Sequence, residues 1–272
     1  MSNDAVLFEL KEGVATLTLN DTARMNALSI PIREGLMAAL ERVQADHAIR
    51  VLVIKANGKG FCVGADLGEL ITKAQAPGGP AVSEQIAGLM DKSANPMVGR
   101  MRALRVPIIC AIDGAVAGGG VGLALTADMV IATRASYFYL PFVPALGMVP
   151  DMGASWFMPR AAGKAQAVGM TLLGKRVAAQ QAADWGLIWG CVEDAKALTD
   201  EAATMATQLA QLPALAVLEV RALFDASETN SLTAQLADER ERQVRLAAGP
   251  DFAEGLQAFK EKRRPDFFAR KP

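Results

Sequence analysis

Two glycine-rich segments constrain this chain more than any other feature. The first is Gly58-Lys59-Gly60-Phe61-Cys62-Val63-Gly64-Ala65-Asp66-Leu67; the second is Asp113-Gly114-Ala115-Val116-Ala117-Gly118-Gly119-Gly120-Val121-Gly122-Leu123. Each follows a short apolar run, Val51-Leu52-Val53-Ile54 before the first and Val106-Pro107-Ile108-Ile109-Cys110-Ala111-Ile112 before the second. Unbroken runs of this length suit strands covered on both faces. Glycine permits backbone conformations closed to other residues and close approach to a ligand. A turn of this kind can bare a backbone N–H where a helix begins. Two such N–H groups aimed at one point make an oxyanion hole, which stabilises negative charge developing on a carbonyl oxygen. The pair therefore points to carbonyl chemistry.

The remaining elements place these turns in an α/β order. Val14-Ala15-Thr16-Leu17-Thr18-Leu19 alternates as a strand does. Ser29 stands at an N-cap with Pro31 in the first turn, and a helix runs to about Gln44 with Ile32, Leu36, Ala39, Leu40 and Val43 on one face. A loop over 74–80 precedes a helix of roughly 20 residues, interrupted near Pro96. Ala127–Ala132 reads as a fourth strand and Gly186–Val192 as a last short one. Strand, helix, strand, helix argues right-handed crossovers and a parallel sheet. Helices are expected over 178–184, 195–211, 213–226 and 231–247, so the chain divides into a core over residues 1–195 and a helical region over 196–272.

Composition excludes several classes. A net charge of −1 over 272 residues gives no electrostatic case for nucleic acid or an anionic membrane. The N-terminus shows no basic region followed by an apolar core, and no stretch reaches the roughly 20 apolar residues of a spanning helix. The expectation is a cytoplasmic protein with no membrane partner. Cys62, Cys110 and Cys191 are widely spaced and odd in number, which suits reduced thiols rather than a disulfide framework or a metal site. The single histidine, His47, lies at the end of the first helix, so histidine-based triads are not expected and acid–base work falls to a carboxylate. Gly169–Lys175 mimics a phosphate-binding loop, but Arg176 replaces the metal-binding hydroxyl and no strand precedes it.

Read together, Arg24-Met25-Asn26-Ala27-Leu28, Gly64-Ala65-Asp66-Leu67, Gly118-Gly119-Gly120, Gly147-Met148-Val149-Pro150-Asp151 and Phe259-Lys260-Glu261-Lys262-Arg263-Arg264-Pro265 resemble the crotonase superfamily, the enoyl-CoA hydratase/isomerase family, over nearly the whole chain. The resemblance implies a crotonase-like spiral of ββα units with a C-terminal helical trimerisation region. It implies acyl-CoA substrates, no cofactor beyond the coenzyme A they carry, and a homotrimer or dimer of trimers. It assigns the oxyanion hole to the backbone N–H groups of Ala65 and Gly119. It assigns coenzyme A contacts to Arg24, Met25, Ala27, Asp66, Leu67, Phe259 and Lys262. Asp66 also fits a role supporting its loop.

The departures from the family pattern are informative. Where hydratases of this family carry two glutamates, this chain has Gly122 and Val143. Adding water to a double bond needs a group to deprotonate the water and a proton donor for the α-carbon. Asp151 resembles the acid of the family's double-bond isomerases and of its ring-oxepin-forming isomerases. Met148, Val149, Met152, Trp156 and Phe157 surround it in sequence, which predicts a poorly solvated carboxyl of raised pKa. The leading expectation is therefore isomerisation of an enoyl-CoA thioester through Asp151. A hydratase or lyase that recruits Glu69 or Asp66 is the alternative, and a silent acyl-CoA binder is a third reading.

Overall fold

The computed structural model describes residues 5–267. In chain order the elements are β1 (Val6–Lys11), β2 (Val14–Leu19), α1 (Ile30–Ala45), β3 (Val51–Ala56), β4 (Gly60–Cys62), α2 (Leu67–Gln75), α3 (Val82–Leu89), α4 (Asn95–Ala103), β5 (Ile108–Ile112), β6 (Ala115–Ala117), α5 (Gly119–Leu125), β7 (Met129–Thr133), β8 (Tyr137–Tyr139), α6 (Ala154–Ala162), α7 (Lys164–Leu173), β9 (Val177–Ala178), α8 (Ala179–Asp184), β10 (Gly190–Val192), α9 (Ala195–Ala210), α10 (Ala214–Ser227), α11 (Leu232–Ala247) and α12 (Pro250–Glu261). Single π-type turns occupy Met90–Ala94 and Phe142–Leu146.

The chain winds as a spiral. The pairs β3–β4, β5–β6 and β7–β8 each give one strand to a six-stranded sheet of order β1-β2-β3-β5-β7-β10 and one to a four-stranded sheet of order β4-β6-β8-β9. A helix follows each pair. Successive turns stack in parallel, with Leu52 opposite Ile108, Ile109 opposite Met129, Gly60 opposite Ala115 and Ala115 opposite Tyr137. Because β4 and β6 are parallel neighbours, their C-terminal ends lie side by side. That register brings the two glycine turns together.

The strand residues alternate between two cores, as the period of two demands. Leu52, Ile54, Ile108, Cys110 and Ile112 face the spiral interior with Leu17, Phe61 and Phe138. Val51, Val53, Ile109, Ala111 and Ile131 face α9, which supplies Leu198, Ala202, Met205 and Ala206. Burial on both faces explains the unbroken apolar runs. Farther along the chain, Arg221 of α10 pins that helix to the core. It donates to the carbonyl of Leu104 at 2.6 Å and pairs with Asp128 at 2.8 Å.

Several expectations need correction. β1 pairs antiparallel with β2 and was hidden by its edge position, where Leu7 and Leu10 face solvent. Neither glycine segment is a single turn: β4 and β6 interrupt them, three residues each. The interruption expected near Pro96 in the helical stretch 82–103 falls just before it. The π-type turn at Met90–Ala94 relieves the backbone there, and Pro96 falls in the first turn of α4, where its missing N–H costs nothing. Ser29 occupies the N-cap position of α1, but its hydroxyl is buried and makes no cap bond.

Candidate active site

The first glycine turn leaves β4 through Gly64 at φ +85° and enters α2. Asp66 caps that helix by accepting from the Glu69 amide at 3.1 Å, a short polar side chain serving the free N–H groups of a helix start. The second turn leaves β6 through Gly118 at φ +52° and enters α5 at Gly119. The two meet at contact distance: a Cβ on Gly64 would stand 2.7 Å from the amide nitrogen of Gly119. Any side chain at Gly64 would part them. The Leu28 amide donates to the Gly64 carbonyl at 2.7 Å, tying the segment after β2 to the same turn.

Asn26, which sequence reasoning quoted but gave no role, holds that segment in place. It is fully buried at φ +55°, and its Nδ2 donates to the carbonyls of Asn57 at 2.9 Å and Gly60 at 2.7 Å. Its neighbour Met25 is laid against Gly60 of the first glycine segment, and Ala27 on its other side is buried. Arg24 pairs with Asp21 at 2.6 Å and with Asp66 at 3.1 Å. Leu67 begins α2 largely exposed. Phe259 and Lys262 lie elsewhere, at the end of α12, whose packing partner is α11.

Asp151 arrives from the other side. A Cβ on Gly119 would stand 3.0 Å from its Oδ1. That oxygen is buried and has no hydrogen-bond partner among the described residues. Burial pushes the carboxyl above its ordinary value of 3.8, offset in part by its own backbone N–H. Asp151 does not cap α6; Gly153 holds the N-cap position, and only the Asp151 carbonyl serves the helix, accepting from Ala154 at 2.9 Å. The apolar surroundings differ from those expected. Met148, Val149 and Trp156 are substantially exposed, and Oδ1 lies instead against Gly119 of α5, where the Met152 Cγ and Leu28 Cδ1 also meet that glycine.

The alternative acids are engaged. Glu69 accepts from Lys73 at 2.7 Å, from the Ile30 amide at 3.3 Å and from Arg33 at 3.4 Å. Burial works against its charge, but these cations outweigh it and hold the carboxyl below its ordinary value. Cys62, buried behind Gly120, has its thiol pushed up to about 12, chiefly by burial, so it stays protonated.

A cavity of about 970 Å³ lies between the sheet, α9 and residues 264–267. Its polar lining includes Asp113, which already accepts from Thr133 at 2.8 Å. The shielded, unpartnered Asp151 Oδ1 and the paired turns place the candidate site at Gly119 instead.

The chain matches the family model described as enoyl-CoA hydratase/isomerase over residues 9–270. It belongs to the enoyl-CoA hydratase/isomerase family. Among its relatives, the 1,2-epoxyphenylacetyl-CoA isomerase of Escherichia coli (strain K12) is 38% identical over 262 residues, covering 96% of this chain and 97% of that protein. A Rhodobacter capsulatus protein named "Probable enoyl-CoA hydratase" is 37% identical over 270 residues, 99% of this chain and 100% of its own. The crystal structure of enoyl-CoA hydratase from Bacillus anthracis superposes with a TM-score of 0.88 at 28% identity, covering 98% of this chain and 100% of that one. Enzymes of the enoyl-CoA hydratase/isomerase family act on acyl-CoA thioesters. Hydratases and isomerases thus stand at similar distance, and the local geometry has to discriminate. Gly122 is pressed against the Met152 backbone, its virtual Cβ 2.5 Å from that of Met152. Val143 lies in the π-type turn Phe142–Leu146. Neither Gly122 nor Val143 offers a carboxylate.

Proposed function

We propose that the protein is an enoyl-CoA isomerase that shifts a double bond through an enolate, with Asp151 as its acid–base group. The observation that carries this reading is the Asp151 carboxyl: half-buried, with an Oδ1 that is shielded from solvent, makes no hydrogen bond among the described residues and is set against Gly119, in a site where Gly122 and Val143 offer no second carboxylate.

The thioester oxygen is held by the backbone N–H groups of Ala65 and Gly119. Asp151 takes a proton from the α-carbon of a 3-enoyl thioester. The electron pair moves onto the carbonyl oxygen, where the two N–H groups stabilise it. The same carboxyl returns its proton to the γ-carbon as the enolate collapses, leaving a 2-enoyl thioester. One group thus takes and gives one proton, and no water is consumed. A desolvated carboxylate is a stronger base than an exposed one, which suits this task near neutral pH. In this reading coenzyme A enters as part of the substrate. Arg24, Met25, Ala27, Asp66 and Leu67 receive it, joined by Phe259 and Lys262 from the C-terminal segment of a neighbouring subunit in a trimer.

A second substrate is supported by the relative named 1,2-epoxyphenylacetyl-CoA isomerase. The same hole and carboxyl suit rearrangement of that thioester.

The test is ultraviolet absorbance with 3-hexenoyl-CoA, crotonyl-CoA and 1,2-epoxyphenylacetyl-CoA, for wild type and Asp151→Asn. Conversion of the first or third by wild type, lost about 100-fold or more in the variant, is expected. Hydration of crotonyl-CoA that survives Asp151→Asn would overturn the reading, as would silence on all three.

A further inference from the structure

We propose that Met152 is a positioning residue for Asp151, and that Gly122 is the seat that admits it. This inference rests on the assignment of Asp151 as the acid–base group.

Met152 has φ +51° and is 2% exposed. A left-handed backbone is unfavourable for a residue with a side chain, by about 1 kcal/mol or more, and persists only where its surroundings impose it. Here the surroundings are one face of α5. Gly119 and Gly122 are three residues apart and therefore neighbours on that face. A Cβ on Gly122 would stand 2.5 Å from the Met152 Cβ and collide with the Met152 carbonyl. A Cβ on Gly119 would stand 3.1 Å from the Met152 Cγ and 3.0 Å from the Asp151 Oδ1. The two glycines form a notch, and Met152 fills it.

Two further observations make the wedge necessary. Gly153 continues the turn at φ +75°, with the Phe157 ring closed over it, so the chain enters α6 directly behind Met152. The Asp151 Oδ1 has no hydrogen bond to fix it. Apart from the carboxyl's bond to its own backbone N–H, packing sets the distance of Oδ1 to Gly119, and Met152 is the packed group next in chain. The same side chain shares the surface of Gly119 with that oxygen. A methionine that merely filled core space would affect stability but leave turnover intact.

The experiment uses the full chain with whichever thioester the wild type converts. Gly122→Ala, Met152→Ala and Met152→Leu are compared by steady-state kinetics, with circular dichroism and thermal midpoints as the check on folding. A displaced carboxyl loses turnover and leaves coenzyme A binding alone. Gly122→Ala and Met152→Ala are expected to lose about 100-fold in kcat, with KM within about threefold. Met152→Leu, of similar volume, is expected to keep kcat within about fivefold. A folded Met152→Ala that loses less than about tenfold in kcat, or whose loss lies in KM, overturns the inference. If Gly122→Ala fails to fold, the Met152 pair decides. Asp151→Asn is run in parallel: an active Asp151→Asn removes the functional reading itself, whereas an inactive one beside an undisturbed Met152→Ala removes only this inference.

Discussion

Gly64 and Gly119 are separated by 54 residues of spiral, yet a Cβ on the first would stand 2.7 Å from the amide nitrogen of the second. The contact follows from the parallel pairing of β4 with β6, which ends both strands at the same level. Gly64→Ala therefore faces two penalties: φ +85° and a backbone atom where its methyl must go. We expect a loss of about 2 kcal/mol in stability and about 100-fold in kcat as the Gly119 N–H is displaced. Gly78→Ala is the control, since it shares a positive φ of +71° but meets nothing within 4 Å. It should cost about 1 kcal/mol and leave kcat unchanged. Equal kinetics in the two variants would show that the contact between the turns has no catalytic role.

Asp151 makes a pH prediction of definite sign. Its folded-state pKa is raised by burial. Below the ordinary carboxylate value both folded and unfolded chains hold the proton, and the group contributes nothing to stability. As pH rises past that value the unfolded chain ionises first, so stability is lost until the folded carboxyl also ionises. Asp151→Asn should therefore be more stable than wild type at neutral pH, with no gain below about pH 3.8, which is the carboxyl's ordinary value. Activity runs the other way. The base form is required, so kcat/KM falls as pH drops through the raised folded value. Thermal midpoints and pH–rate profiles measure both; an Asn variant less stable than wild type at neutral pH contradicts the assigned burial.

Much of this architecture is legible in the residues. The unbroken runs at Val51–Ile54 and Ile108–Ile112 do become strands buried on both faces, because α9 covers one face and the spiral interior the other. The helices of the C-terminal third fall close to their expected bounds. The four-stranded sheet is not legible, because β4, β6, β8 and β9 have two or three residues each and their pairing is set by tertiary register rather than by any local period. In the site, the glycines announce the turns, but Met152 carries no sequence signal: a left-handed methionine is imposed by α5, and only the bare face of Gly119 and Gly122 hints at it. Asn26 could have been found, since an asparagine flanked by apolar residues just past a strand suits a left-handed position that also bonds backbone.

Gly122 limits what engineering can restore. The family resemblance sets a hydratase glutamate against Gly122, so Gly122→Glu is the obvious attempt to install hydration. The Met152 carbonyl and Cβ already occupy the space a Cβ needs. The variant is expected to lose isomerase activity by displacing the Asp151–Met152 turn and to gain no hydration of crotonyl-CoA. The assay is the conjugated-thioester absorbance with time. Appearance of hydration would mean that the turn yields easily and that its packing does not define the reaction.

The C-terminal helices lead to the last prediction. Phe224 on α10 is 68% exposed, Leu232 on α11 76% and Phe259 on α12 84%. These helices are not loosely held, since Arg221 anchors α10 to Leu104 and Asp128. Apolar side chains exposed on these three helices, α10 anchored and α11 and α12 packed in succession on it, mark a surface suited to association. In the trimer proposed for this chain they meet neighbouring subunits. Phe224→Asp and Leu232→Asp place a charge that costs several kcal/mol if buried without a partner. Light scattering should report a trimer or hexamer for wild type and a smaller species for the variants, with unchanged circular dichroism. A monomeric wild type would refute the proposed assembly, and with it any contribution of Phe259 and Lys262 to a neighbour's coenzyme A.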